Sequence, residues 1–488
     1  MGQLFGTDGV RGVAGRDLDA SLAMRLAAAA AHVLGGVRFD GSANKQNHED
    51  QNHEDQGEKF ARRPTAVVGR DPRASGEFLE SAVVAGLAGS GVDVLRLGVI
   101  PTPGVAYLTE VLSADFGVML SASHNPAPDN GIKFFAHGGL KLPDHVENEI
   151  EAAMADRQAR GDGWGIPAAG FGRVKDATDE QELYLAHVLG TAGVIAGTGL
   201  PAGLGAGQDA QRPLAGWKIV VDCAHGAAFD LAPRLLSQAG AEVIAIGVEP
   251  DGININAGCG STSLGALRAA VLEHGANAGI AYDGDADRCL AVDENGEVLD
   301  GDQILAVLAL ALNDSGRLAG RTVVATVMAN LGFRRAMTEA GIEVVETPVG
   351  DRYLIAAMLD GKYVLGGEQS GHIIMLDHAS TGDGMLTSIQ LLVTAANSGR
   401  SLAELAQVMT RYPQVLVNVH GVDKAKAAGS GELTSAIAAA KAELGDSGRV
   451  LVRPSGTEPA VRVMVEAIDS GQALMVADRL ADIVRSAG

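Results

Sequence analysis

Cysteine is almost missing from this chain. Its 488 residues hold three, Cys223, Cys259 and Cys289. Three scattered thiols exclude a disulfide framework and fit a reducing compartment, so a cytoplasmic location is expected. Aromatic residues make up only 4%. Basic residues are also short, 38 against 60 acidic ones, for a formal net charge of −22. That balance argues against a general nucleic-acid binder and leaves cations to act in local clusters. No apolar run reaches the length of a membrane span, and the opening MGQLFGTDGVRG has no signal-peptide pattern, so neither membrane nor secretory leader is expected. Two catalytic signatures are lacking as well. There is no Walker loop, which speaks against a nucleotide-driven kinase, and no Gly-x-Ser-x-Gly around Ser123, which speaks against a hydrolase elbow.

What is present is an apolar fraction of 47%, enough for several cores, and 65 glycines. Length alone suggests about three domains. Strand and helix patterns alternate. The first block reads as helix 20–34, strand 64–69, helix 75–87, strand 92–97 and strand 116–120. The second reads as strand 217–221, helix 227–238, strand 242–246, helix 264–273 and strand 278–282. The third reads as helix 302–312, strand 322–327, helix 333–340 and strands 343–346 and 363–365. Such alternation implies α/β domains with parallel or mixed sheets. From about Tyr412 the order changes to strand 414–419, helix 433–444, strands 450–452 and 461–465, and helix 472–486, a smaller α+β domain. The expected fold class is therefore α/β, with three related α/β domains and a C-terminal α+β domain. The boundaries are set at 1–180, 181–297, 298–410 and 411–488. Residues 47–56 are a tandem NHEDQ repeat and read as a solvated loop, with His48 and His53 only incidental metal ligands. Residues 191–213, rich in Gly and Ala, read as a flexible insertion.

Four loops carry chemistry. Residues 121–126 read Ser-Ala-Ser-His-Asn-Pro at the end of an apolar strand. Turn chemistry explains such residues by itself; the alternative is that Ser123 reacts. Residues 283–288, Asp-Gly-Asp-Ala-Asp-Arg, follow the apolar strand Ile280-Ala281-Tyr282. Asp283, Asp285 and Asp287 at i, i+2 and i+4 can turn their oxygens to one hard cation. Glu294 falls where an EF-hand would place its last ligand, but Arg288 stands where that loop needs glycine, and the flanks read as strands. A three-ligand loop with open positions suits Mg²⁺. A plain acidic turn is the bland alternative, weakened by the loop's place at the carboxyl end of a strand, where α/β proteins bind ligands. Residues 453–462 bracket Ser455, Gly456 and Thr457 between Arg453 and Arg462, a set suited to phosphate oxygens. Residues 367–372, Gly-Glu-Gln-Ser-Gly-His, offer donors and acceptors for sugar hydroxyls, or else form a strand-to-strand turn. Residues 5–11 add a Gly-rich loop with the cation Arg11. A serine beside a cation and a phosphate clamp can carry a phosphoryl group.

The segments FGTDGVRG, SASHNP, DGDADR, GEQSGH and RPSGTEPAVRV, in this order, resemble those of the α-D-phosphohexomutases over nearly the whole chain. Gln369 resembles the glucosamine branch, since the phosphomannomutase/phosphoglucomutase branch usually has Met there. The resemblance implies four domains around a central cleft, the fourth a mobile lid. It implies a phosphoserine at Ser123, which is also a metal ligand, with Mg²⁺ on the three aspartates. The implied reaction interconverts glucosamine 6-phosphate and glucosamine 1-phosphate through a bound 1,6-bisphosphate, ahead of UDP-N-acetylglucosamine and cell-wall precursor synthesis. Lys133 and His372 are the implied proton-transfer groups. Arg11 and Arg288 would stabilise the moving group, and His124 would orient the phosphoserine. Glu368 and Ser370 would read sugar hydroxyls, and Arg453, Ser455, Gly456, Thr457 and Arg462 would grip the idle phosphate. The partner implied is a small sugar phosphate, with neither nucleic acid nor membrane, and a homodimer is allowed. Three alternatives stand beside it: a phosphomannomutase/phosphoglucomutase, a non-catalytic sugar-phosphate binder and a phosphoserine-based phosphatase.

Overall fold

The computed structural model describes residues 4–6, 8–36, 62–160, 170–192, 212–454 and 460–487. The 47–56 repeat, most of the 191–213 insertion and Ser455, Gly456 and Thr457 lie outside them. The chain divides into two compact units, Met1–Thr326 with Val345–Ala406, and Val327–Val344 with Gln407–Gly488.

The first unit holds three sheets. The first has six strands in the order Val10–Val13, Asp129–Ala136, Phe116–Leu120, Thr65–Arg70, Asp93–Val99, Val174–Asp176. Asp129–Ala136 runs antiparallel to both its neighbours, and the remaining pairs are parallel. Every residue of Phe116–Leu120 is buried, as a central strand covered on both faces requires. The second sheet orders Val298–Leu299, Cys289–Asp293, Ala278–Tyr282, Lys218–Asp222 and Glu242–Ile246. In the third, Thr322–Thr326 pairs parallel with Leu365–Gly367, which pairs antiparallel with Ile373–Met375. The three cysteines are free and buried, and no helix among the described residues is long and apolar enough to cross a membrane.

Helices start where the sequence supplies a cap. Asp19 accepts from Leu22 N at 2.7 Å ahead of helix Ala20–Leu34, and Asp300 and Gln303 form a reciprocal capping box for Gly301–Asp314. Two expected elements move. The helix expected from residue 227 begins at Leu231, because Ala224 and His225 take positive φ and Ala227 N is committed to Gly284 O. The strand expected at 363–365 is Leu365–Gly367, because Lys362 closes the preceding helix in the left-handed region and Tyr363 N bonds Met358 O. Helices Thr102–Val111 and Gly384–Ser398, which the pattern did not single out, are buried nearly all round and so show no polar face.

The second unit is an antiparallel sheet, Gln414–His420, Ala460–Glu466 and Arg449–Pro454 in that order, with helices Gly431–Leu444 and Ser470–Ala487. Val463, Val465, Val476 and Leu480 centre its own core.

Candidate active site

The site begins at the carboxyl end of Phe116–Leu120. Ser123 sits there with φ of 51°, and such left-handed backbone on a non-glycine residue costs about 1–3 kcal/mol unless the surroundings enforce it. Arg73 enforces it. The residue is fully buried, and all five of its N–H groups are used. Nε meets Asp71 Oδ2 at 2.9 Å, Nη1 reaches the carbonyls of Pro126 and Asp129, and Nη2 reaches those of Ser123 (3.0 Å) and Asn125 (2.8 Å). Asn256 Nδ2 donates to the same Ser123 carbonyl at 2.9 Å. Ser121 is spent on structure. Its hydroxyl donates to Asp71 and accepts from Ser123 N. The hydroxyl left for chemistry is that of Ser123, which donates to Asp283 Oδ2 at 2.6 Å and stands 3.3 Å from His124 Nδ1.

Asp283 opens the loop after Ala278–Tyr282, with Ala286 also at positive φ. A Cβ on Gly284 would stand 2.6 Å from Ser123 O, so only glycine lets the two loops touch. Asp283, Asp285 and Asp287 are buried, with one oxygen of each within 4.8 Å of the others. Protein groups engage the Oδ2 atoms of Asp285 and Asp287. Asp285 Oδ2 accepts from Thr102 Oγ1 (2.6 Å) and Lys133 Nζ (2.8 Å), and Asp287 Oδ2 faces His372 Nδ1 at 3.5 Å. The Oδ1 atoms of Asp285 and Asp287 are buried without a hydrogen-bond partner. Convergent, partnerless carboxylate oxygens beside a hydroxyl are a fitting donor set for a hard divalent cation such as Mg²⁺. Burial, then Asp287 and Asp285, push the Asp283 carboxyl well up, a repulsion that a bound cation would offset. Glu294 accepts from Ala403 N instead and stays out of the group.

The flanking cations are placed with equal definition. Lys133 is 3% exposed, not on a solvent face. It bonds Asp285 and Asp8, both at 2.8 Å, and although burial opposes the charge, these two carboxylates hold its ammonium far above the usual range. His372 is pushed up against burial chiefly by Asp287. His124 goes the other way, down to about 4, through burial and the charges of Arg288 and Arg11, so it is neutral at neutral pH and suited to orienting. Arg288 Nε lies 3.7 Å from Asp287 Oδ1, and Arg11 pairs with Asp8 at 2.6 Å. Residues 367–372 do form the turn of the hairpin Leu365–Gly367 and Ile373–Met375. At its tip Ser370 Oγ donates to Glu368 Oε2 at 3.2 Å, and both residues keep part of their surface open.

In the second unit Arg453 and Arg462 face each other in register on neighbouring strands. Burial and the Arg462 charge lower the Arg453 guanidinium.

The sequence reading missed Arg73, Thr102, Asn256, Asp8, Lys141 and Asp351. Arg73 carried a usable signal, since it lies just past the carboxyl end of strand Thr65–Arg70.

Family models match the chain in four consecutive stretches. They are phosphoglucomutase/phosphomannomutase alpha/beta/alpha domains I (54–160), II (206–296) and III (300–412) and the C-terminal domain (416–483). The chain belongs to the phosphoglucomutase/phosphomannomutase family, whose members are isomerases that move a phosphoryl group on a hexose phosphate. Among curated relatives it is 60% identical to a phosphoglucosamine mutase of Thermobifida fusca over 99% of this chain and 98% of the other. It is 58% identical to one of Streptomyces griseus over the full length of both. The fold matches the crystal structure of a phosphoglucomutase/phosphomannomutase family protein from Burkholderia thailandensis, with TM-score 0.74, 22% identity and coverage of 99% and 97%. It also matches Aspergillus fumigatus N-acetylphosphoglucosamine mutase in complex with GlcNAc-6P and magnesium, with TM-score 0.58, 22% identity and coverage of 79% and 92%.

Proposed function

We propose that this chain interconverts glucosamine 6-phosphate and glucosamine 1-phosphate in the cytoplasm, with Ser123 as phosphoryl carrier and a bound glucosamine 1,6-bisphosphate as intermediate. The observation that carries the reading is the 2.6 Å hydrogen bond from Ser123 Oγ to Asp283, inside a carboxylate group with unspent oxygens. Asp283, Asp285 and Asp287, with an oxygen on Ser123, would hold Mg²⁺, which supplies charge neutralisation for the transferring group. The magnesium and GlcNAc-6P of the Aspergillus complex support that choice.

In the forward direction the sugar's 1-hydroxyl attacks the phosphorus on Ser123, the P–Oγ bond breaks and Oγ takes a proton. After the bisphosphate turns over, Ser123 Oγ attacks the 6-phosphate and the sugar's O6 takes the proton. Lys133, held against Asp285, and His372, paired to Asp287, are the groups placed to exchange protons with the serine and sugar oxygens. Arg11 and Arg288 balance charge around the moving group, and His124 orients it. Glu368 and Ser370 take sugar hydroxyls. Arg453 and Arg462, with Ser455, Gly456 and Thr457, take the phosphate that is not reacting. The division at 180, 297 and 410 then assigns carrier, metal, sugar and phosphate loops to successive domains.

The test is turnover of glucosamine, glucose and mannose 6-phosphates with Mg²⁺ and a trace of the corresponding 1,6-bisphosphate. Glucosamine 6-phosphate should give the highest kcat/KM. Ser123→Ala should lose nearly all turnover, and intact mass should show one phosphoryl group on the wild type that maps to the Ser123 peptide. Faster turnover of glucose or mannose phosphate, or an active Ser123→Ala variant, would overturn the assignment.

A further inference from the structure

The charged groups around the site close into a ring whose signs alternate except where Asp285 neighbours Asp287. Lys133 joins Asp285 to Asp8. Asp287, two residues from Asp285, faces His372, whose Nε2 lies 3.8 Å from Asp351 Oδ2. One residue closes the gap between Asp8 and Asp351. Lys141 Nζ bonds Asp8 Oδ1 at 2.6 Å and pairs with the Asp351 carboxylate.

The backbone accounts for this placement. After strand Asp129–Ala136 the chain reverses over His137–Gly139, where Gly138 and Gly139 have φ of 78° and 69°. A Cβ on Gly139 would stand 2.2 Å from Ala106 O, so the reversal is packed tight. Lys141 then bridges antiparallel to Phe135. Side chains alternate along a strand, so Phe135 shares a face with Lys133, and Lys141, opposite Phe135, projects to that same face. Burial holds it there, with its side chain 17% exposed.

We propose that Lys141 is a positioning residue for the phosphoryl transfer. It does not touch the sugar phosphate. It holds Asp8 against Lys133 and Asp351 against His372, and so fixes the groups beside Asp285 and Asp287. The proposal rests on the mutase reading given above. Removing Lys141 leaves Asp8 and Asp351 without a shared cation and frees each proton-transfer group to drift. A misplacement of about 1 Å is enough to cost roughly 100-fold in rate.

The experiment uses full-length phosphorylated protein with glucosamine 6-phosphate and Mg²⁺, wild type beside Lys141→Met and Lys141→Arg. Lys141→Met should lower kcat by about 10–100-fold. KM should stay within about threefold, since no substrate contact is lost. Ser123 phosphate content should match wild type by intact mass. Lys141→Arg, which can still bridge two carboxylates, should recover most of kcat. Asp351→Asn should show the same kind of loss, and its combination with Lys141→Met should add little, because both break one link. This second variant decides the matter should Lys141→Met not fold. The proposal is overturned if kcat of Lys141→Met stays within twofold of wild type, if the loss falls on KM, if arginine fails to rescue, or if Asp351→Asn is indifferent. A wild-type protein inactive on every hexose phosphate would sink the mutase reading itself; an active wild type with an indifferent Lys141 sinks only this inference.

Discussion

Glu147 shows how much a single buried carboxyl can say about pH. It is 8% exposed on helix Asp144–Arg160, with Arg352 Nη2 3.8 Å away, and burial pushes it up to about 7. Its folded value is therefore above its unfolded one. The stability it contributes is present below about pH 4.5 and lost as pH rises toward 7. Glu147→Gln stays neutral throughout. Its thermal midpoint relative to wild type should improve between pH 5 and pH 8; an offset that does not change with pH would contradict the assignment. At this scale the sequence was most legible where chemistry-bearing residues end a strand. Ser123 and the three aspartates stand out because a polar cluster breaks an apolar run. Lys141, Asp8 and Asp351 do not, because a lone charge in a turn looks solvated until the fold buries it. Lys133 was ambiguous in the same way, and only the pairing of its strand with Val10–Val13 and Phe116–Leu120 covers it.

Elements with one apolar face, or short β-branched runs, were readable to within a residue or two. Helix Ala20–Leu34 and strands Phe116–Leu120, Glu242–Ile246 and Ala278–Tyr282 fall where the pattern placed them. Gly384–Ser398 was hidden because a helix buried all round has no period to read. The loop between strands Phe116–Leu120 and Asp129–Ala136 is itself an element, held by Arg73. Arg73→Met should take the cation from Asp71 and one donor from each of four carbonyls, a cost of about 3–5 kcal/mol for a broken buried pair. Hydrogen exchange should then show faster opening of amides 121–130, with those of the second unit unchanged. Arg73→Lys should repair little of it, since one ammonium offers three donors for five acceptors. Exchange no faster than wild type would mean that the loop holds itself.

At the scale of the molecule, four family segments fold into two compact units. In a chain of net charge −22 the proposed phosphate contact of Arg453 and Arg462 would depend on their concentrated local charge. Arg453→Ala should raise KM for the sugar phosphate by about tenfold or more, from ~1.5–3 kcal/mol for a charge-assisted hydrogen bond. Mg²⁺ affinity and Ser123 phosphate content belong to the other unit and should not move. A fall in kcat with unchanged KM would take Arg453 out of phosphate binding.

Ser123 is 2% exposed, its carbonyl doubly clamped and its backbone left-handed. Enzymes that mark proteins for signalling read an extended, accessible peptide, and this serine cannot present one without unfolding its loop. If Ser123 is the carrier as proposed, its first phosphate would arrive on a donor small enough to enter the site. On that reading the phosphorylated fraction of the protein would follow that small donor's supply, and a shortage of it would idle the enzyme without any change in its amount.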